Sequence, residues 1–132
     1  MEREILTEVQ AFCKQPLVLA MVGDGVHTLY VRTKLANATD LKVNELNKKV
    51  SAIVNASAQA KAYFKIKDSL TEREEQITHR ARNTNIHSHA KNFSIEDYIH
   101  ATAFEALLGY LYLSGQDERL KEILKNTEIL WI

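Results

Sequence analysis

The chain has 132 residues, 45% hydrophobic and 26% charged, with 17 Lys plus Arg against 17 Asp plus Glu. That length supports one domain with its own core, and the neutral balance excludes any polyanion partner argued from net charge alone. No apolar run approaches a membrane span and the acidic N-terminus lacks a signal-peptide core, so a cytoplasmic protein with no membrane partner is expected.

Four Gly and one Pro leave few breakers, which favours helices. A short helix is predicted over residues 2–14, with Ile5, Leu6, Val9 and Phe12 at helical spacing. The lone Cys13 has no disulfide partner and reads as a small half-buried hydrophobe. Pro16 suits the first turn of a second helix, where its missing N–H is not needed. That helix is predicted to reach residue 36, followed by a turn at 37–40. A third helix is expected over 42–65, with Val43, Leu46, Val50, Ile53, Val54 and Ala58 on one stripe. Thr71 and Glu74 have capping-box spacing and open a fourth helix that frays near Asn83. Ser94 caps the next, which stops near Gly115. Residues 117–130 form a last amphipathic helix. No period-2 alternation of strand length occurs, so the expected fold class is all-α, as a single domain over residues 1–132.

Two acids interrupt apolar helices. Asp24 lies inside the run that starts at Leu17 and ends at Val26, and Glu105 inside the run from Ala101 to Leu113. A buried lone carboxylate must be neutralised, paired or bound to a metal. Gly23 and Gly25 flank Asp24, and each costs a helix interior about 1 kcal/mol relative to Ala, so close approach of another helix or a ligand is the expected reason. Ala101, Glu105 and Gly109 recur every four residues and stack on one side. Small residues on both helices let the axes approach and bring the two carboxylates together. A divalent cation relieves their repulsion, and Mg²⁺ fits oxygen ligands supplemented by water and phosphate. Each acid alone is more often a partly exposed or paired group. Together, in small-residue contexts, they make Asp24 and Glu105 the candidate metal ligands and catalytic residues.

Residues 76–94 contain no acid but hold His79, Arg80, Arg82, Asn83, His87, His89 and Lys91. Such a cationic loop is a candidate phosphate-contacting surface, against the plainer alternative of a solvated helix end. The pair His87 and His89 lacks a third ligand at a fixed offset and gives only a weak transition-metal signal. His27, one turn from Asp24, reads as a surface or core-edge residue with a possible assisting role, and His100 as part of the packing.

The segment Leu19-Ala-Met-Val-Gly-Asp-Gly-Val26, followed by Leu29-Tyr-Val-Arg32, resembles the Gly-Asp helix of the ribonuclease III endonuclease domain. Thr102-Ala-Phe-Glu-Ala-Leu-Leu-Gly-Tyr-Leu-Tyr-Leu113 resembles its second catalytic helix. With Arg80-Ala-Arg-Asn83 and Lys91-Asn92 between them, the forms are similar to the Mini-ribonuclease III family. The resemblance spans about residues 17–113.

It implies an all-helical homodimer of catalytic domains with no double-stranded-RNA-binding domain. Each subunit would cut one strand of duplex RNA with Mg²⁺. The implied role is maturing the ends of the 23S ribosomal RNA precursor, with a ribosomal protein as a partner that presents the RNA. Asp24 and Glu105 would hold the metal, and Arg80, Arg82, Asn83 and Lys91 would contact RNA. The other two acids of full-length ribonuclease III would fall at Leu17 and Thr102, which are not acids, and the narrower family lacks them too. Ala81 replaces a common Gly, and Thr84-Asn85 follow Asn83 where a Lys is expected. The alternative reading is a non-catalytic dimeric RNA-binding scaffold in ribosome assembly.

Overall fold

The computed structural model describes residues 2–84 and 93–131, and every regular element among them is helical. In chain order they are α1 (Glu8–Phe12), α2 (Pro16–Ala38), α3 (Val43–Val54), α4 (Ala56–Ile66), α5 (Glu72–Arg82), α6 (Ile95–Leu113) and α7 (Asp117–Thr127), with short 3₁₀ turns at Lys67–Ser69 and Glu128–Trp131. No helix of the described residues is long and apolar enough to cross a membrane.

The centre is α6. Ala103, Phe104, Ala106, Leu107, Leu108 and Leu111 are all fully buried, so this helix is apolar nearly all round, the signature of a helix enclosed by others. Helices α2, α4 and α5 pack around it, and α7 closes one end. Ser94 caps α6 by accepting the Asp97 N–H. Gly115 ends it at φ 70°, with the Gln116 N–H bonded to the Leu111 carbonyl at 2.9 Å and the Gly115 N–H to Tyr112 at 3.2 Å. That paired pattern needs a left-handed residue, which glycine supplies without strain.

The predicted boundaries shift where side-chain caps intervene. Thr7 and Gln10 form a reciprocal capping box, which delays the first helix to residue 8. The single helix expected over 42–65 is two. Asn55 adopts an extended conformation and its side chain accepts the Ala58 N–H, so it ends α3 and starts α4. Asn competes well for this role because its short side chain reaches the free amides of the new first turn. The predicted stripe also changes: Val43 is exposed while Val50 is buried. Cys13 is exposed rather than half-buried, because α1 ends one residue before it.

The Thr71–Glu74 box forms as expected and carries a second role. Buried Glu74 receives two N–H groups of Arg119, the Nη2 contact at 2.8 Å, and the same Nη2 donates to the Ser69 carbonyl. Burial would push the Glu74 carboxyl up, but the Arg119 and Thr71 hydrogen bonds overcome it and hold it below its ordinary value. This pair pins α7 to the start of α5.

Candidate active site

Glycines set the geometry. A Cβ on Gly23 would lie 1.7 Å from the Glu105 carbonyl oxygen, and one on Gly109 would lie 1.9 Å from the Leu19 carbonyl oxygen. As α2 advances from 19 to 23, α6 runs back from 109 to 105. The two helices therefore pass antiparallel, backbone against backbone, over one full turn. Asp24, next to Gly23, is delivered to the side chain of Glu105. Gly25 plays no part in this approach, since a Cβ there meets nothing within 4 Å.

Asp24 is exposed and Glu105 half-buried, which corrects the expectation that both acids are enclosed. The residue of α2 that enters the helix contact is Gly23, and Asp24 sits about 100° further round the helix at the rim. The carboxyls are still close enough to hydrogen-bond each other. Burial, followed by the hydrogen bond and charge of Asp24, pushes the Glu105 carboxyl up to about 9, opposed only by the Gln59 side chain.

Behind Glu105 stands a buried polar pair. Gln59 Nε2 lies 3.0 Å from His27 Nδ1, and the residues are 3% and 1% exposed. His27 also meets the Phe104 ring edge-on, with centroids 5.2 Å apart. Burial lowers its pKa to about 4 against the opposing charge of Asp24, so the ring is neutral at pH 7. His27 is thus a core residue and not a surface one. Thr102, one turn before Glu105, is buried.

The donor set suits a hard cation. It offers carboxylate oxygens, which Mg²⁺ prefers, and no thiolate. Among the described residues no Lys or Arg pairs with Asp24 or Glu105, so their repulsion is uncompensated by the chain. No cluster of three acidic, His or Cys groups able to hold a metal occurs among them. Two carboxylates would therefore be the direct protein ligands, with water and phosphate filling the shell.

One consequence is measurable without substrate. Glu105 binds its proton more tightly folded than unfolded. The folded state therefore carries the extra proton between the ordinary carboxylate pKa and about 9, and metal-free stability falls as pH rises through that window. Thermal melts in chelator are expected to show this decline from about pH 6.5 to pH 9, since below that range neutral His27 contributes the opposite slope. Glu105→Gln is expected to flatten it.

The basic segment is positioned differently from the acids. Arg80 Nη2 donates to the Phe12 carbonyl, and its guanidinium lies over the Phe12 ring at 4.5 Å. Arg82 is held by Glu75 at 3.1 Å and by the Tyr63 hydroxyl. Asn83 ends α5 and donates to the His79 carbonyl at 3.0 Å. Among the described residues, no hydrogen bond or ion pair joins Arg80, Arg82 or Asn83 to Asp24 or Glu105. Lys91 lies outside the described residues, as do His87 and His89. His100 stacks on Tyr63 and meets the Phe64 ring at a tilt, the packing role expected of it.

Sequence reasoning passed over Gln59. The signal available was a lone amide in the small-residue stretch Ala56-Ser-Ala-Gln-Ala60, an odd choice for a helix that packs against α6.

Known proteins resemble this chain in sequence and fold over most of its length. The ribonuclease III domain model matches residues 17–116. The chain is 45% identical over 122 residues to Mini-ribonuclease 3 of Thermoanaerobacter sp. (strain X514), covering 92% of this chain and 86% of that one. It is 44% identical over 126 residues to Mini-ribonuclease 3 of Brevibacillus brevis, covering 96% and 93%. A crystal structure of a Fusobacterium nucleatum protein superposes with a TM-score of 0.79 at 32% identity, covering 91% of this chain and 94% of that chain.

Proposed function

The chain belongs to the ribonuclease III domain family and, within it, to the Mini-ribonuclease 3 group, and on that premise we propose that it is a Mg²⁺-dependent endonuclease of double-stranded RNA that matures the ends of the 23S ribosomal RNA precursor. The observation that carries the reading is the convergence of Asp24 and Glu105 where α2 and α6 touch.

Asp24 and Glu105 would hold the cation. When bound, it supplies polarisation of the scissile phosphoryl oxygen and activation of the attacking water. The chain's part is placement. The Gly23 and Gly109 contacts fix the helix separation, and Asp24 at the rim leaves the site open to a bulky polyanion. Duplex RNA is read chiefly through its backbone and 2′-hydroxyls, so little sequence preference is expected. Arg80, Arg82, Asn83 and Lys91 are the proposed RNA contacts. Arg80 and Arg82 would present the N–H groups not already given to Phe12, Tyr63, Thr78 and Glu75.

A homodimer is part of the reading. On α2, Leu17, Val18, Met21 and Leu29 are exposed. They adjoin an apolar groove lined by Val22, Val26, Tyr30, Leu120 and Leu124. A contiguous apolar face of this kind supports a self-complementary two-fold interface. Met21 is 69% exposed, and Met21→Glu would place a carboxylate in that interface twice. The variant is expected to weaken the dimer by about a hundredfold or more. Sedimentation equilibrium measures this, and a dimer unaffected by the change would move the interface elsewhere.

The test of function is cleavage of a long RNA duplex, beside single-stranded RNA and DNA duplex of the same sequence. Cutting of the RNA duplex alone, with Mg²⁺ and not with EDTA, is expected. Duplex binding without any cutting would return the scaffold reading.

A further inference from the structure

A cavity of about 350 Å³ opens between the first turn of α4, the end of α7 and the 3₁₀ turn that follows it, and neither Asp24 nor Glu105 lines it. Its size falls within the roughly 300–1,000 Å³ of small-ligand pockets. No acidic residue lines it among the described residues. Donors collect on one part of the wall. Asn55 commits its side-chain oxygen to the Ala58 N–H at 2.9 Å, which leaves the Ala56 and Ser57 amides without an acceptor inside the helix. This end of the 11-residue α4 carries partial positive charge. Lys61, four residues beyond Ser57, forms no ion pair among the described residues.

The remaining donor is buried. His27 is 1% exposed, and its Nδ1 lies 3.0 Å from Gln59 Nε2. An amide nitrogen only donates, so Nδ1 accepts and the ring proton sits on Nε2. Nε2 has no partner among the described residues, yet the sealed, unpaired side-chain nitrogens are Arg3 Nε and Arg80 Nε. The trace of surface left to His27 is therefore at Nε2, on the cavity wall. An apolar ring would fill this place at less cost, because a buried imidazole loses its hydration. The rest of the wall is apolar and aromatic. Phe93 and Trp131 belong to it, and Trp131 meets Tyr30 edge-on with centroids 6.1 Å apart. A wall divided in this way matches an anionic head joined to a flat ring.

We propose that this cavity is a second ligand site of the chain and that it takes a nucleoside 5′-monophosphate. Ser57, Lys61 and the His27 Nε2–H receive the phosphate at the start of α4, and the base lies against Trp131 and Phe93. The site goes beyond the metal-site reading and does not depend on it. A free mononucleotide and the 5′-phosphorylated end of an RNA strand offer this same chemistry.

Trp131 is the only tryptophan of the chain, so its fluorescence reports on the cavity, and calorimetry gives the affinities. Titration with adenosine 5′-monophosphate in EDTA, where no cation tethers phosphate to the acids, is expected to change Trp131 emission saturably. Adenosine and inorganic phosphate each supply half of the recognition and are expected to bind at least about tenfold more weakly. Lys61 is exposed, and Lys61→Gln is expected to weaken adenosine monophosphate about ten- to a hundredfold while leaving adenosine binding and the melting temperature near the parent's. Asp24→Asn is expected to bind the nucleotide as the parent does. No saturable change at millimolar nucleotide would overturn the proposal. So would parental affinity in Lys61→Gln, or loss of binding in Asp24→Asn, which would move the nucleotide to the acids. Short RNA duplexes with 5′-phosphate or 5′-hydroxyl ends, also in EDTA, separate the two sources. Tighter binding of the phosphorylated duplex that Lys61→Gln removes assigns the cavity to an RNA end. Equal binding of the two duplexes beside saturable mononucleotide binding assigns it to the free nucleotide.

Discussion

Asp24→Asn is expected to abolish cleavage of duplex RNA while leaving the protein folded. The substitution keeps shape and removes one of the two charges proposed to hold the cation. Metal-ion stabilisation of a phosphoryl transition state is worth several kcal/mol, and at about 4 kcal/mol its loss lowers kcat roughly a thousandfold. Stability should hardly move. In the metal-free protein at pH 7 Glu105 is protonated, its carboxyl pushed up to about 9, and the new amide oxygen at position 24 can still accept its proton. The combined signature is a melting temperature near the parent's in chelator, no further rise on adding Mg²⁺, and no cleavage. A merely destabilised variant would melt lower in chelator. Cleavage that survives the substitution, or that ignores EDTA, removes the two-carboxylate site from the mechanism.

Gly23→Ala is expected to cost stability at or beyond the upper end of the ~1–3 kcal/mol typical of overpacking. The reason is the nature of the clash. The added Cβ would lie 1.7 Å from the backbone oxygen of Glu105, and a main-chain carbonyl inside a helix cannot rotate away as a side chain can. The helices must separate along the turn that also carries the Gly109 contact. That shift displaces Glu105 relative to Asp24, so activity should fall by more than the loss of folded protein explains. Gly25→Ala is the internal control. No atom lies within 4 Å of its added Cβ, and replacing a helical Gly with Ala is expected to raise stability by roughly 0.5–1 kcal/mol. Urea denaturation of both variants measures the contrast between the two glycines that flank Asp24. Equal effects at the two positions would mean that α2 and α6 do not meet at Gly23.

The glycine pair shows how far linear reading reaches. Two helix-weakening residues around one acid already demand a close approach, because the cost of Gly in a helix is local and needs compensation. Which of the two makes the approach depends on the angle at which α2 meets α6, and that angle is set by packing. The same holds for burial. Asp24 lies in an apolar run, yet it is exposed, because the apolar residues beside it, Leu17, Val18 and Met21, are themselves at the surface. An apolar run identifies what avoids water, and it does not say whether its own domain or another surface does the covering.

Local chemistry made other features legible. The Thr71–Glu74 box, the Ser94 cap, the Gly115 stop and Pro16 at a first turn act through neighbours three or four residues away, so the order of the chain contains them. The break at Asn55 was equally local. It was hidden because the apolar stripe continued past it. Arg80 and Arg82 look like free cations in a chain of letters. Only the fold brings Phe12 and Tyr63 to them, while Glu75 reaches Arg82 along the same helix, two turns earlier.

By itself, then, the sequence determined the all-helical class, most helix starts and stops, and the two acids on which the chemistry rests. These follow from short-range hydrogen bonding, helical periodicity and the cost of burying charge. The tertiary structure alone decided that Gly23 and not Gly25 is the contact, that Asp24 stands at the rim, and that His27 and Gln59 meet behind Glu105. Those outcomes depend on how three helices cross, and a crossing brings together residues more than thirty positions apart, beyond the reach of any local pattern.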